Sequence, residues 1–97
     1  MSGEPALTDQ ALATVLGELP HWRRDGHTMV RTETASTFPA AIAWVVATAQ
    51  IAEAMNHHPD IDIRYRQVTW RLSTHSVGAI TELDVALARR IDAVVDL

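Results

Sequence analysis

The segment STFPAAIAWVVATAQIAEAMNHHP, residues 36–59, constrains the fold more than any other part of the chain. Thr37 stands where a helix N-cap belongs, and Pro39 is tolerated beside it because first-turn amides have no helical partner. Phe38, Ile42, Val45, Ala49 and Ala52 follow helical spacing, which predicts that this stripe is the buried one. Trp44, Val46 and Ile51 lie off the stripe, and no charge interrupts the segment before Glu53. A helix that is apolar nearly all round needs partners on more than one side, so part of its surface is expected to meet another subunit. With Thr48, Gln50 and Glu53 in the run, it is read as falling short of a membrane span. Pro59 ends the helix by driving His58 out of helical backbone space.

The flanks supply the remaining elements. Residues 1–6 read as a frayed tail, with Gly3 and Pro5 against regular structure, and 7–97 as a single domain. Thr8 caps a first helix with Leu7, Ala11, Val15 and Leu16 on one side, ending near Gly17 or Pro20. Trp22 to Arg24 and His27 to Thr34 read as strands around the hairpin dipeptide Asp25-Gly26. Ile61, Ile63 and Tyr65, then Val68, Trp70 and Leu72, alternate with polar residues as half-buried strands do, with a turn around Tyr65 to Gln67. Thr81 and Asp84 form a T-x-x-D capping pattern before a last helix, whose buried face is expected at Leu83, Leu87, Ile91 and Val94. Arg89 and Arg90 lie toward its C-terminal half, where the helix dipole favours cations. The order α-β-β-α-β-β-α predicts an α+β fold, a four-stranded antiparallel sheet with three helices packed on one face.

Composition narrows the function classes. A chain of 97 residues, 47% apolar and 21% charged, supports one layered core. A net charge of -4 lacks the basic excess that direct binding to nucleic acid requires. The absence of cysteine excludes disulfides, thiolate catalysis and zinc–thiolate sites. The first ten residues show no signal-peptide pattern, so a cytoplasmic location without membrane association is expected.

The residues able to do chemistry collect between Glu53 and Asp84. Glu53 and His57 are four apart on one helix face. His57 and His58 are adjacent where the helix breaks, His75 follows a strand end, and Asp84 lies in the first turn of the last helix. Imidazole gives or takes a proton near neutral pH, and a dehydration needs an acid for the departing hydroxyl and a base for the neighbouring proton. Each position also has a plainer explanation. Glu53 can be a solvated side chain, Asp84 a capping residue, and His75 a surface histidine. Trp22 and Trp44 read as core or interface aromatics, and His21 and His27 have no partner pattern. His57 and His58 are harder to explain by packing or helix propensity.

The run E-A-M-N-H-H-P at 53–59, followed by Tyr65, His75 and Asp84, resembles the signature of the pterin-4a-carbinolamine dehydratase family. Five residues separate Pro59 from Tyr65, nine separate Tyr65 from His75, and eight separate His75 from Asp84. L-S-T-H at 72–75, G-A-I-T at 78–81 and D-V-A-L-A at 84–88 are also similar to the family, and the likeness spans nearly the whole chain. The resemblance implies a lyase that converts a 4a-hydroxy-tetrahydropterin to a quinonoid dihydropterin and water, regenerating the tetrahydrobiopterin-type cofactor of aromatic amino acid hydroxylases. It implies His57 and His75 as the acid–base histidines, His58 as a ligand-orienting one, and Glu53 and Asp84 as supporting carboxylates. Asn56, Pro59 and the segment Ser73, Thr74 and Ser76 would match positions around the pterin. No cofactor or metal is implied, and a homotetramer formed through sheet edges and a central helix bundle is. Ser76 stands where many members carry an acid, and Ala54 where lysine is common.

Two rival functions remain beside this one. The same fold serves as a non-catalytic protein-binding module, a dimerisation cofactor or assembly chaperone, although chaperone-like relatives tend to lose the histidines kept here. A metal site from His57, His58 and His75, with Glu53, is disfavoured because adjacent histidines splay apart.

Overall fold

The computed structural model describes residues 5–97, so most of the expected tail lies outside the described residues, and Pro5 and Ala6 carry no regular structure. The elements are α1 (Asp9–Glu18), β1 (Arg23–Asp25), β2 (Thr28–Thr34), α2 (Phe38–Met55), β3 (Asp60–Arg64), β4 (Gln67–Leu72) and α3 (Glu82–Val95). The strands form one antiparallel sheet in the order β1-β2-β4-β3. Met29, Val68, Trp70 and Leu72 face the helices and share one core with Leu12, Ala41, Leu87 and Ile91. Each fully buried large side chain of this set contributes about 1.5–3 kcal/mol through removal from water. The expected α+β architecture is the observed one.

Both hairpin turns differ in detail from the expected ones. Asp25 pairs with Thr28, so the loop residues are Gly26 and His27 rather than Asp25-Gly26. Gly26 holds a φ of 61°, which glycine adopts without steric cost. Trp22 lies just outside β1 and is buried. In the second hairpin Arg64 pairs with Gln67, so Tyr65 is a loop residue and not an inward strand position. Its φ is 53° and its ring is exposed, stacked on Phe38 with centroids 6.5 Å apart and with the Arg66 guanidinium 5.5 Å above it.

The stripe expected to bury α2 is mostly the outer one. Ala41, Thr48 and Ala52 are buried, with Trp44, Val45, Ile51 and Met55 packed beside them, whereas Phe38, Ile42, Val46 and Ala49 are exposed. Small residues on its inner side let the helix backbone run close to α3. A side-chain hydrogen bond ties it to the sheet, since Trp70 Nε1 donates to Thr48 Oγ1 at 3.2 Å and Thr48 donates to the Trp44 carbonyl at 2.8 Å. With 18 residues at a mean hydropathy of 1.4, α2 is long and apolar enough to cross a membrane by length and composition, contrary to expectation. Here one side of it packs on the core and the other is uncovered.

On α3 the buried residues are Asp84, Val85, Leu87, Ala88 and Ile91, with Leu83 and Val94 only half-buried. Arg89 pairs with Glu18 of α1 at 2.9 Å, but the last turn of α3 has no basic residue. It has Asp92 and the C-cap Asp96, charges that the helix dipole disfavours there. Arg31 offsets them from β2. It is 1% exposed, with Nη1 2.5 Å from Asp92 Oδ1 and Nη2 2.7 Å from Asp96 Oδ1, and Glu33 is 3.4 Å from Nη2. Trp22 Nε1 donates to the same Asp92 oxygen at 2.7 Å. Burial alone would lower the Arg31 pKa, but the hydrogen bonds to Asp96 and Asp92 outweigh it and the net direction is upward. The hydrogen bond from Arg31 holds Asp96 below its ordinary value of 3.8.

Candidate functional site

The site begins where α2 stops. Asn56 takes the left-handed conformation, φ 52°, which asparagine tolerates better than most side chains. Its amide donates to the Glu53 carbonyl at 3.1 Å and the His57 amide to the Ala52 carbonyl at 3.0 Å, the paired bonds of a Schellman closure. This reversal carries His57 off the helix face and toward α3. His57 is 9% exposed, and its Nε2 lies 2.6 Å from Asp84 Oδ1. His57 therefore leaves the helix face that it was expected to share with Glu53. Glu53 Oε1 lies 2.9 Å from His58 Nε2, in an exposed pair.

Asp84 combines the two roles that its sequence position left open. It is fully buried, and its Oδ2 accepts the Thr81 amide at 2.9 Å, closing the capping box of α3. The same oxygen accepts the Thr74 hydroxyl at 2.9 Å, and the other oxygen meets His57. A carboxylate surrounded by donors acts only as an acceptor, so His57 presents Nε2–H to it and keeps its lone pair on Nδ1. Nδ1 has no hydrogen-bond partner among the described residues, yet it is not sealed from solvent as Arg31 Nε is. That atom is the one free to exchange a proton.

Thr74 also pins the loop that carries the third histidine. Its amide donates to the Ala79 carbonyl at 2.9 Å, and its carbonyl accepts from Val77 at 3.0 Å and Gly78 at 2.9 Å. Gly78 has a φ of 71°, which lets the loop close this tightly. His75 and Ser76 are exposed on that loop, while Ser73 and Pro59 are half-buried. The His75 ring has no hydrogen-bond partner among the described residues. His57, Asp84 and Thr74 thus form one contiguous cluster, His75 adjoins it through the backbone, and His58 with Glu53 stands at the rim. A shallow groove of about 720 Å³, lined by Val46, Ala49, Gln50, Glu53 and Ala54, runs along the exposed face of α2 as far as Glu53. Among the described residues no three histidine or acidic side chains converge as metal ligands would.

A family model described as pterin 4 alpha carbinolamine dehydratase matches residues 5–94. A curated relative from Nocardia farcinica, provisionally named a pterin-4-alpha-carbinolamine dehydratase, is 55% identical over 86 residues, covering 89% of this chain and 90% of its own. The crystal structure of a transcriptional coactivator/pterin dehydratase from Brucella melitensis superposes with a TM-score of 0.90 at 29% identity, covering 93% of this chain and 98% of the other. A pterin dehydratase-like protein identified as a RuBisCO assembly factor in the alpha-carboxysome shares the fold, with a TM-score of 0.65 at 24% identity over 75% of this chain and 87% of its own.

Proposed function

The chain belongs to the pterin 4 alpha carbinolamine dehydratase family, and from that premise we propose that it dehydrates a 4a-hydroxy-tetrahydropterin to a quinonoid dihydropterin by histidine acid–base catalysis. The observation that carries this reading is the His57 imidazole held through Nε2 on buried Asp84, with Nδ1 left to work. In a carbinolamine the hydroxyl and a ring nitrogen share one carbon. One imidazolium proton goes to the departing hydroxyl, which leaves as water, while a second imidazole takes the N–H proton and the C=N bond forms. Protons and electrons balance without a cofactor. His57 and His75 are the two proton carriers, His58 orients the ligand with Glu53 behind it, and Asn56, Pro59, Ser73 and Ser76 border the ring. We propose that it acts in the cytoplasm, downstream of a pterin-dependent hydroxylation.

The test is the disappearance of freshly generated 4a-hydroxy-tetrahydropterin, followed by absorbance with and without protein. The parent accelerates it and is insensitive to chelator, and His57→Ala and His75→Ala each lose about 10²-fold or more. A folded parent that leaves the spontaneous rate unchanged would sink the reaction and move the protein-binding reading to first place.

The uncovered face of α2 supports a homo-oligomer, dimer or tetramer. Phe38, Ile42 and Val46 are 46%, 38% and 52% exposed and align along one side of the helix. A second copy of the chain covering this stripe removes it from water. Val46→Glu is expected to shift the mass measured by light scattering to that of the monomer. The melting temperature of the dissociated chain then reports its intrinsic fold, because an exposed position costs only about 0.5 kcal/mol. A parent that is already monomeric at high concentration overturns the assembly.

A further inference from the structure

We infer that Thr74 is a positioning residue, whose hydroxyl orients Asp84 so that His57 carries its proton on Nε2 and offers Nδ1 to the reaction. The kinetic consequence rests on the dehydratase reading, whereas the effect on the imidazole does not. Hydrogen counting sets the direction. Thr74 Oγ1 lies 2.9 Å from Asp84 Oδ2 and 2.7 Å from Thr81 Oγ1. A hydroxyl has one hydrogen, and the carboxylate can only accept, so the Thr74 hydrogen goes to Asp84 and the Thr81 hydroxyl donates to Thr74. Thr81 Oγ1 in turn accepts the Leu83 amide at 3.2 Å. A directed chain thus runs from the first turn of α3 through two hydroxyls to the carboxylate, and each bond polarises the next.

Thr74 is not needed to cap α3. The Thr81 amide already reaches Asp84 Oδ2, and the Leu83 amide reaches Thr81 Oγ1. Nor is its hydroxyl available to a ligand, because the side chain is buried at 4% exposure and its one proton is committed. What it adds is a second donor on the oxygen opposite the one that holds His57. With two donors on Oδ2, rotation of the carboxylate is resisted and Oδ1 stays directed at the imidazole. Fixing the orientation and tautomer of an acid–base histidine from behind is the established use of such a carboxylate.

The test compares Thr74→Val, which keeps the shape without the hydroxyl, with Thr74→Ser, which restores it. The readouts are the ¹⁵N NMR signature of the His57 ring and steady-state dehydration kinetics, with a thermal melt to establish folding. In the parent, His57 is expected to give the single Nε2–H signature. In Thr74→Val this becomes a tautomer mixture, kcat falls about tenfold with KM unchanged, and Thr74→Ser recovers both. Should the valine variant not fold, Thr74→Cys, with its weak S–H donor, falls between parent and full loss in both readouts. An unaltered His57 signature in the valine variant overturns the inference, as does a loss confined to KM, which marks a substrate contact instead. A parent with no dehydratase activity removes only the reaction, and the NMR comparison still decides whether Thr74 sets the imidazole.

Discussion

Asp84→Asn is expected to lower the dehydration rate by about 10²–10⁴-fold while leaving the protein folded. The reasoning follows from where the donors lie. Two donors, the Thr81 amide and the Thr74 hydroxyl, meet Oδ2, and one, the His57 ring, meets Oδ1. An asparagine that keeps its carbonyl oxygen against the pair turns its amide nitrogen toward His57. That nitrogen is a donor, so Nε2 must become the acceptor and the ring proton moves to Nδ1. The working atom is then blocked in the neutral ring. The cap of α3 survives, because the carbonyl oxygen still receives the Thr81 amide, and the stability cost is about 1–3 kcal/mol. Rates and thermal melts on the same samples separate the two effects. A folded Asp84→Asn protein within about threefold of the parent rate would show that Nδ1 is not the working atom of His57.

The elements that sequence placed well are those governed by local rules. Thr8, Thr37 and Thr81 each accept an amide from the helix they precede. The strand alternation at Val68, Trp70 and Leu72 gives three buried side chains. The face of α2 was not legible, because a segment without charge offers no polar side to mark as outer. Packing beside α3 and over the core turns Ala41, Thr48 and Ala52 inward. Glu53 and His57 do not share the expected helix face for a different reason. Helical spacing holds only while the helix lasts, and the left-handed Asn56 ends it one residue before His57.

The candidate site was half visible. The histidines and carboxylates were marked by their types and by family resemblance, but the hydroxyl chain through Thr74 and Thr81 joins a strand end to a helix cap across a loop. No local periodicity announces such a contact. The Arg31 cluster was missed altogether, although two clues existed. Arg31 shares a strand face with Met29, and Asp92 and Asp96 are four apart at a helix end where acids are unfavourable. Neither is informative until the fold brings β2 under the end of α3.

That cluster yields the largest stability effect. Arg31→Met is expected to destabilise the protein by about 3–5 kcal/mol at neutral pH, a large share of the roughly 5–15 kcal/mol typical of a domain. Methionine fills the volume, so the cost is electrostatic. Asp92 keeps only the Trp22 indole, Asp96 loses its partner, and Glu33 adds a third uncompensated acid. In the parent, Asp96 is held below its ordinary 3.8, so its stabilising contribution is complete above that value and fades as pH falls through the lowered one. Arg31 is held above its ordinary range by the two carboxylates, so its contribution persists to the alkaline limit. The deficit of the variant is therefore widest between these limits and narrows on acidification, as its carboxylates take up protons. Urea unfolding of both proteins at about pH 7 and about pH 4 measures the narrowing. Adding Asp92→Asn and Asp96→Asn to Arg31→Met recovers part of the loss at neutral pH, because it removes the acids left unpaired. A single variant within about 1 kcal/mol of the parent, with no pH dependence in the difference, would mean that water replaces the guanidinium and that the cluster behaves as an exposed pair.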